Sequence, residues 1–89
     1  MEKFNVGNGF TATCTHRRAA YGFYHFCTLY KDDKRIARAQ ALYMNRTWEA
    51  WNYQTVVKMA VKKCNHLSDT EKEALLEVLR IEPQHISII

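Results

Sequence analysis

The sequence predicts an α+β fold: a three-stranded antiparallel sheet in the order β-β-β-α-α, covered on one face by helices. Three observations carry that expectation. From Phe10 to Arg17 the side chains alternate strictly between two sets, the two-residue period of a strand. Lys31-Asp32-Asp33-Lys34 is a polar turn of hairpin length between two further runs. From Tyr53 the apolar residues recur at Tyr53, Val56, Val57, Ala60, Val61 and Cys64, the spacing of one helix face. Gln54, Lys58, Lys62 and Lys63 fall on the other side of that helix.

In chain order, residues 1–9 read as a leading segment with Gly7-Asn8-Gly9 as its turn. In the first strand, 10–17, Phe10, Ala12, Cys14 and His16 share one face and Thr11, Thr13, Thr15 and Arg17 the other. After a turn, the run 22–30 is rich in aromatics and suits a second strand. The run 35–44 is helix-like by propensity, but the preceding turn favours a third strand. Pairing Tyr30 with Arg35 sets Thr28, Phe26, Tyr24 and Gly22 opposite Ala37, Ala39, Ala41 and Tyr43, large against small. That face would lie under the first helix, whose N-cap is expected at Asn52 or Thr47. Ser68-Asp69-Thr70-Glu71 is a capping box opening a second helix to about Arg80, which buries Ala74, Leu75, Val78 and Leu79. Pro83 follows, and the apolar tail 84–89 is expected to dock on the sheet or add an edge strand.

At 89 residues, with 47% apolar and 25% charged content, the chain reads as a single domain over 1–89. No apolar run reaches the ~20 residues of a membrane span, and the first residues lack the pattern of a secretory signal. Three cysteines cannot all pair with one another, so a reduced, cytoplasmic protein with free thiols is expected. Residues 1–66 carry eleven Lys and Arg against four Asp and Glu, and residues 67–89 carry two against five. The basic part suits an acidic partner, nucleic acid or protein; equally, the acidic second helix could lie against the basic part of its own chain.

Cys14-x-His16, His25-x-Cys27 and Cys64-x-His66 raise the question of zinc. A register with Cys14 across from Cys27 and His16 across from His25 would gather four ligands on one face. The register that keeps Phe10, Ala12 and Cys14 with Tyr24, Phe26 and Tyr30 sends His25 and Cys27 to the opposite side. Patterning therefore argues against a metal, and no cofactor is expected. Phosphate loops, nucleophile elbows and zinc-protease helices are all missing from the sequence, so no catalytic residues are assigned and an enzyme is not expected.

The uncovered face is expected to carry Arg17, Phe23, His25, Arg38 and Gln40, beside Leu29, Ile36 and Leu42. A mixture of basic and apolar groups suits a recognition surface or a homodimer face. In the stretch 45–51, Trp48 suits a structural wedge, while Arg46 and Trp51 are candidates for partner binding, since Arg and Trp dominate binding hot spots.

Tyr43, Asn45, Arg46, Thr47, Trp48, Glu49, Trp51, Tyr53 and Val56 together form a box that resembles small uncharacterised proteins encoded by bacteriophages and prophages. The likeness covers roughly residues 34–64 and transfers no catalytic residue. It implies a phage context, in which compact non-enzymatic proteins bind and disable host machinery, including restriction, CRISPR and other defence complexes. The expected function is thus a phage-encoded inhibitor that binds a host protein or nucleoprotein complex in the host cytoplasm. The alternative is a small nucleic-acid-binding protein that uses the basic open sheet face.

Overall fold

In the computed structural model of the chain, the backbone is described for residues 2–7, 9–45, 49–79 and 86–88. Its elements are β1 (Glu2–Gly7), β2 (Phe10–Arg18), β3 (Phe23–Lys31), β4 (Lys34–Tyr43), α1 (Glu49–Lys63), α2 (Asp69–Val78) and β5 (Ile86–Ile88). One antiparallel sheet runs β4-β3-β2-β1-β5, with the helices on one face. The α+β class is as expected; the strand count is not. The leading segment is itself a strand, paired with β2 through contacts such as Phe4↔Ala12, and the tail returns to pair with β1. Both elements extend the sheet sideways.

Lys31 and Lys34 close the β3–β4 hairpin around Asp32 and Asp33, whose φ angles of 49° and 65° are those a primed two-residue turn requires. Tyr30 pairs with Arg35 as expected, but the next rung is Leu29↔Ala37. Ile36 is an extra residue in β4, a β-bulge, and Ile36 and Ala37 both pack on the core. That single insertion overturns the expected register. Cys27, not Phe26, lies opposite Ala39, and His25, not Tyr24, lies opposite Ala41.

On the other side, β2 and β3 meet as Cys14↔Cys27 and His16↔His25, the register that patterning had argued against. The covered face therefore carries Phe10, Ala12, Cys14, His25, Cys27, Leu29 and Ala39, all buried. Tyr24, Phe26, Thr28 and Tyr30 stand on the opposite face, half-buried. The physical reason is helix approach. Small side chains on the sheet let α1 lie close, and the large group at the junction, Tyr53, comes from the helix.

From α1, Tyr53, Val56, Val57, Ala60 and Val61 are buried as their spacing predicts, followed by Cys64. Gln54, expected on the solvent side, is also buried, and its amide donates to the Leu79 carbonyl at the end of α2. The helix begins at Glu49, so Asn52 lies within it and is not its cap. Thr47, the other candidate cap, is outside the described residues, as are Trp48, Arg80 and Pro83. Leu75 and Leu79 anchor α2, whereas Ala74 is exposed and Val78 half-buried. At the β2–β3 turn Gly22 has φ +81°, and a Cβ there would run into the Tyr43 carbonyl.

The capping box of α2 is formed in full: the Ser68 hydroxyl accepts from Glu71 N–H, and the Glu71 carboxylate accepts from Ser68 N–H. The Ser68 backbone donor, followed by Lys31, holds the Glu71 carboxyl below its ordinary pKa. A depressed carboxyl stabilises the fold above its unfolded pKa, and that contribution is lost as pH falls through the folded value. Glu71→Gln should therefore flatten the acid limb of a pH-stability curve, read by thermal unfolding at a series of pH values.

Ala39 is 4% exposed beneath α1, while Arg38 and Gln40 point away. Ala39→Phe should overpack the interface and cost ~1–3 kcal/mol in denaturant unfolding, and Arg38→Phe or Gln40→Phe far less. Equal losses at all three positions would contradict the strand.

Candidate functional site

Three neighbouring strands supply most of the described side chains on the face turned away from the helices. β2 supplies Thr11, Thr13, Thr15 and Arg17; β3 supplies Tyr24, Phe26, Thr28 and Tyr30; β4 supplies Arg35, Arg38, Gln40 and Leu42. None of these positions is buried, and none is acidic. Phe26 is at the centre. The guanidinium carbons of Arg17 and Arg38 lie 5.5 and 5.4 Å from its ring centroid, one from each neighbouring strand. Tyr24 lies beside it with ring centroids 6.0 Å apart. At one end of the face, Arg17, Arg18, Tyr21, Tyr24 and Leu42 enclose a shallow pocket of about 300 Å³. Tyr21 is 78% exposed there.

Sequence reasoning placed Arg17, Arg38 and Gln40 here, and the structure gathers them. It does not bring His25 or Phe23 to this face. His25 is fully buried between sheet and helix, with Tyr43 and Tyr53 rings edge-on at 5.0 and 5.1 Å. Phe23 shares the covered side at the end of β3, its ring 6.3 Å from that of His16. Leu29 and Ile36, also expected outside, pack in the core. Trp51 is 42% exposed, but on α1, across the sheet from the arginines. Arg46 lies outside the described residues. Missing from the expected set were Tyr24, Phe26, Tyr30 and Arg35, the partner of Tyr30. The alternation of the three rings was plain in the sequence, and only the choice of face was wrong.

On the covered side, a polar cluster joins α1 to β2. His16 Nδ1 is 2.9 Å from a Glu49 carboxylate oxygen and 3.0 Å from the Tyr53 hydroxyl, which itself donates to Glu49 at 3.0 Å. The three groups are positioned by helical i, i+4 spacing and by the end of the strand. They hold the first turn of the helix on the sheet. One rung further in, the Cys14 and Cys27 thiols touch, 2.7 Å apart, and all three cysteines are free and buried. Although two Cys and two His occupy adjacent rungs, no group of three or more metal-ligating side chains is close enough to hold an ion among the described residues.

The acidic α2 meets the basic part through a half-exposed pair, Lys31–Glu71 at 3.3 Å. The described ion pairs do not involve Arg17, Arg35 or Arg38. Also among the described residues, no helix is long and apolar enough to cross a membrane.

Tyr53→Phe should cost about 1 kcal/mol in thermal unfolding, the net worth of a hydrogen bond to a polar cluster, without altering the opposite face. Comparisons with protein-family models, curated proteins and solved structures find no match to this chain.

Proposed function

We propose that this is a non-enzymatic binding protein whose open sheet face holds single-stranded nucleic acid. One observation carries the reading. The alternation of β3 sets Tyr24, Phe26 and Tyr30 outward beside Arg17, Arg35 and Arg38, and none of the outward positions described on β2, β3 and β4 is acidic. Bases stack on aromatic rings whatever their sequence, and guanidinium groups pair with phosphates. A duplex fits less well, because rings stack on bases that are unpaired and splayed out. Arg17 and Arg38 flanking Phe26 place cations where the backbone of a strand stacked on that ring would pass.

A second reading rests on the phage-like box around Asn45–Trp51: a phage accessory protein that inhibits a host protein or nucleoprotein complex, restriction and CRISPR systems included, in the host cytoplasm. The two readings meet if the target is a nucleoprotein complex and this face engages its nucleic acid. Pull-down from host lysate with and without nuclease separates them. Retention that survives nuclease supports a protein target.

Binding of a labelled oligothymidylate, followed by fluorescence anisotropy across a salt series, tests the first reading. Three phosphate contacts predict a slope of about −2 for log K against log salt, at ~0.7 per contact for a single strand. Phe26→Ala should weaken binding by ~1–3 kcal/mol, and Arg38→Ala should make the slope shallower by about 0.7. Absence of binding at low salt, or affinity indifferent to salt, overturns the reading.

A further inference from the structure

Cys14 and Cys27 occupy the same rung of neighbouring antiparallel strands, 1% and 0% exposed, with sulfurs 2.7 Å apart. Directly opposed residues in an antiparallel ladder have Cα atoms about 4.5 or 5.5 Å apart, depending on the type of rung. Both values fall within the range of roughly 4.4–6.8 Å that a disulfide spans. The spacing of the rung is thus one a disulfide spans. We propose that Cys14 and Cys27 form a redox modification site, a cross-strand pair that closes to a disulfide on exposure to a small peroxide oxidant and reopens with a thiol reductant.

The chemistry balances with hydrogen peroxide as oxidant. One thiol, as its thiolate, attacks a peroxide oxygen; the O–O bond breaks, hydroxide leaves and a sulfenic acid forms. The second sulfur then attacks the first, the S–O bond breaks and water leaves, so two thiols and one peroxide give one disulfide and two waters. Peroxide is a fitting oxidant because it is small, and Cys27 Sγ lies 3.5 Å from the Tyr53 carbonyl of α1. Hydrogen bonding to Cys14, together with burial, pushes the Cys27 thiol far above its ordinary pKa. Its thiolate is scarce in the closed sheet, so the reaction is slow and awaits local opening.

Cys64 is an internal control. It is buried just past the end of α1, where its sulfur lies 3.5 Å from the Ile36 carbonyl. The bond would staple the β2–β3 hairpin from beneath, and that hairpin carries Arg17, Tyr24 and Phe26 on its upper side.

The test is peroxide treatment of the purified chain, alkylation of the remaining thiols under denaturing conditions, and peptide mass mapping without reduction. Expected are a loss of two hydrogens, a Cys14–Cys27 linked peptide, Cys64 alkylated, and a higher unfolding temperature that dithiothreitol reverses. The chain with Cys64→Ser should behave identically. Three alkylatable thiols after treatment, over-oxidation of separate cysteines, or linkage through Cys64 would each overturn the proposal. So would stoichiometric zinc in the freshly purified protein with both thiols protected by it.

Discussion

The close seat of α1 on the sheet is the constraint on which the rest of the structure depends. A helix can lie flat across a strand face only where the side chains beneath it are short. Ala12, Cys14, Cys27 and Ala39 supply that floor, with Ala37 and Ala41 at its margin. The helix answers with Val56, Val57, Ala60 and Val61 in the middle and with Tyr53 filling the deeper gap near the strand ends. Of the rings on that face, His25 meets Tyr53 of α1 and Phe10 lies near Leu75 of α2, while Tyr24, Phe26 and Tyr30 stand on the other side.

A bulge makes that arrangement compatible with the hairpin. The Asp32-Asp33 turn sets Tyr30 opposite Arg35, and an unbroken ladder from there would put Phe26 and Tyr24 on the alanine face. Ile36 adds one residue to β4 and returns Leu29, Cys27 and His25 to that face. In a ladder with a two-residue period, a shift of one residue exchanges the two faces. The bulge thus lets Arg35 and Arg38 join the rings of β3 on the open face, with Arg17 brought there by the register of β2.

The two faces of β3 divide the chemistry. Inward, its thiol and imidazole are enclosed by α1, where partners are fixed and solvent is excluded. Outward, its rings are half-buried among threonines and cations, an environment that tolerates the tyrosine hydroxyls and leaves the apolar edges available. A buried His25 is explained by the Tyr43 and Tyr53 rings standing edge-on around it, not by an exposed recognition role. β1 and the edge strand β5 widen the sheet beyond β2.

What the sequence determined by itself was local. The helical stripe from Tyr53 to Cys64, the capping box at Ser68, the Lys31–Lys34 turn and the strand character of 10–17 and 35–44 all follow from interactions within a few residues. Tyr53 and Val57 share a face because helices repeat every 3.6 residues, and Glu71 reaches back to Ser68 because three residues make the first turn. Tertiary structure decided which face of β3 is covered. Alternation groups Tyr24, Phe26 and Tyr30 together but carries no sign, and the usual tie-break, that large aromatics go inside, fails when the core is built to the height of alanine and cysteine. The tail adds an edge strand, one of the two expectations for it, but its partner β1 was beyond local reading, since the pairing joins residues more than eighty positions apart in the chain, such as Glu2 and Ile88. Their backbone groups find partners only once the helices have brought the tail back to the edge of the sheet.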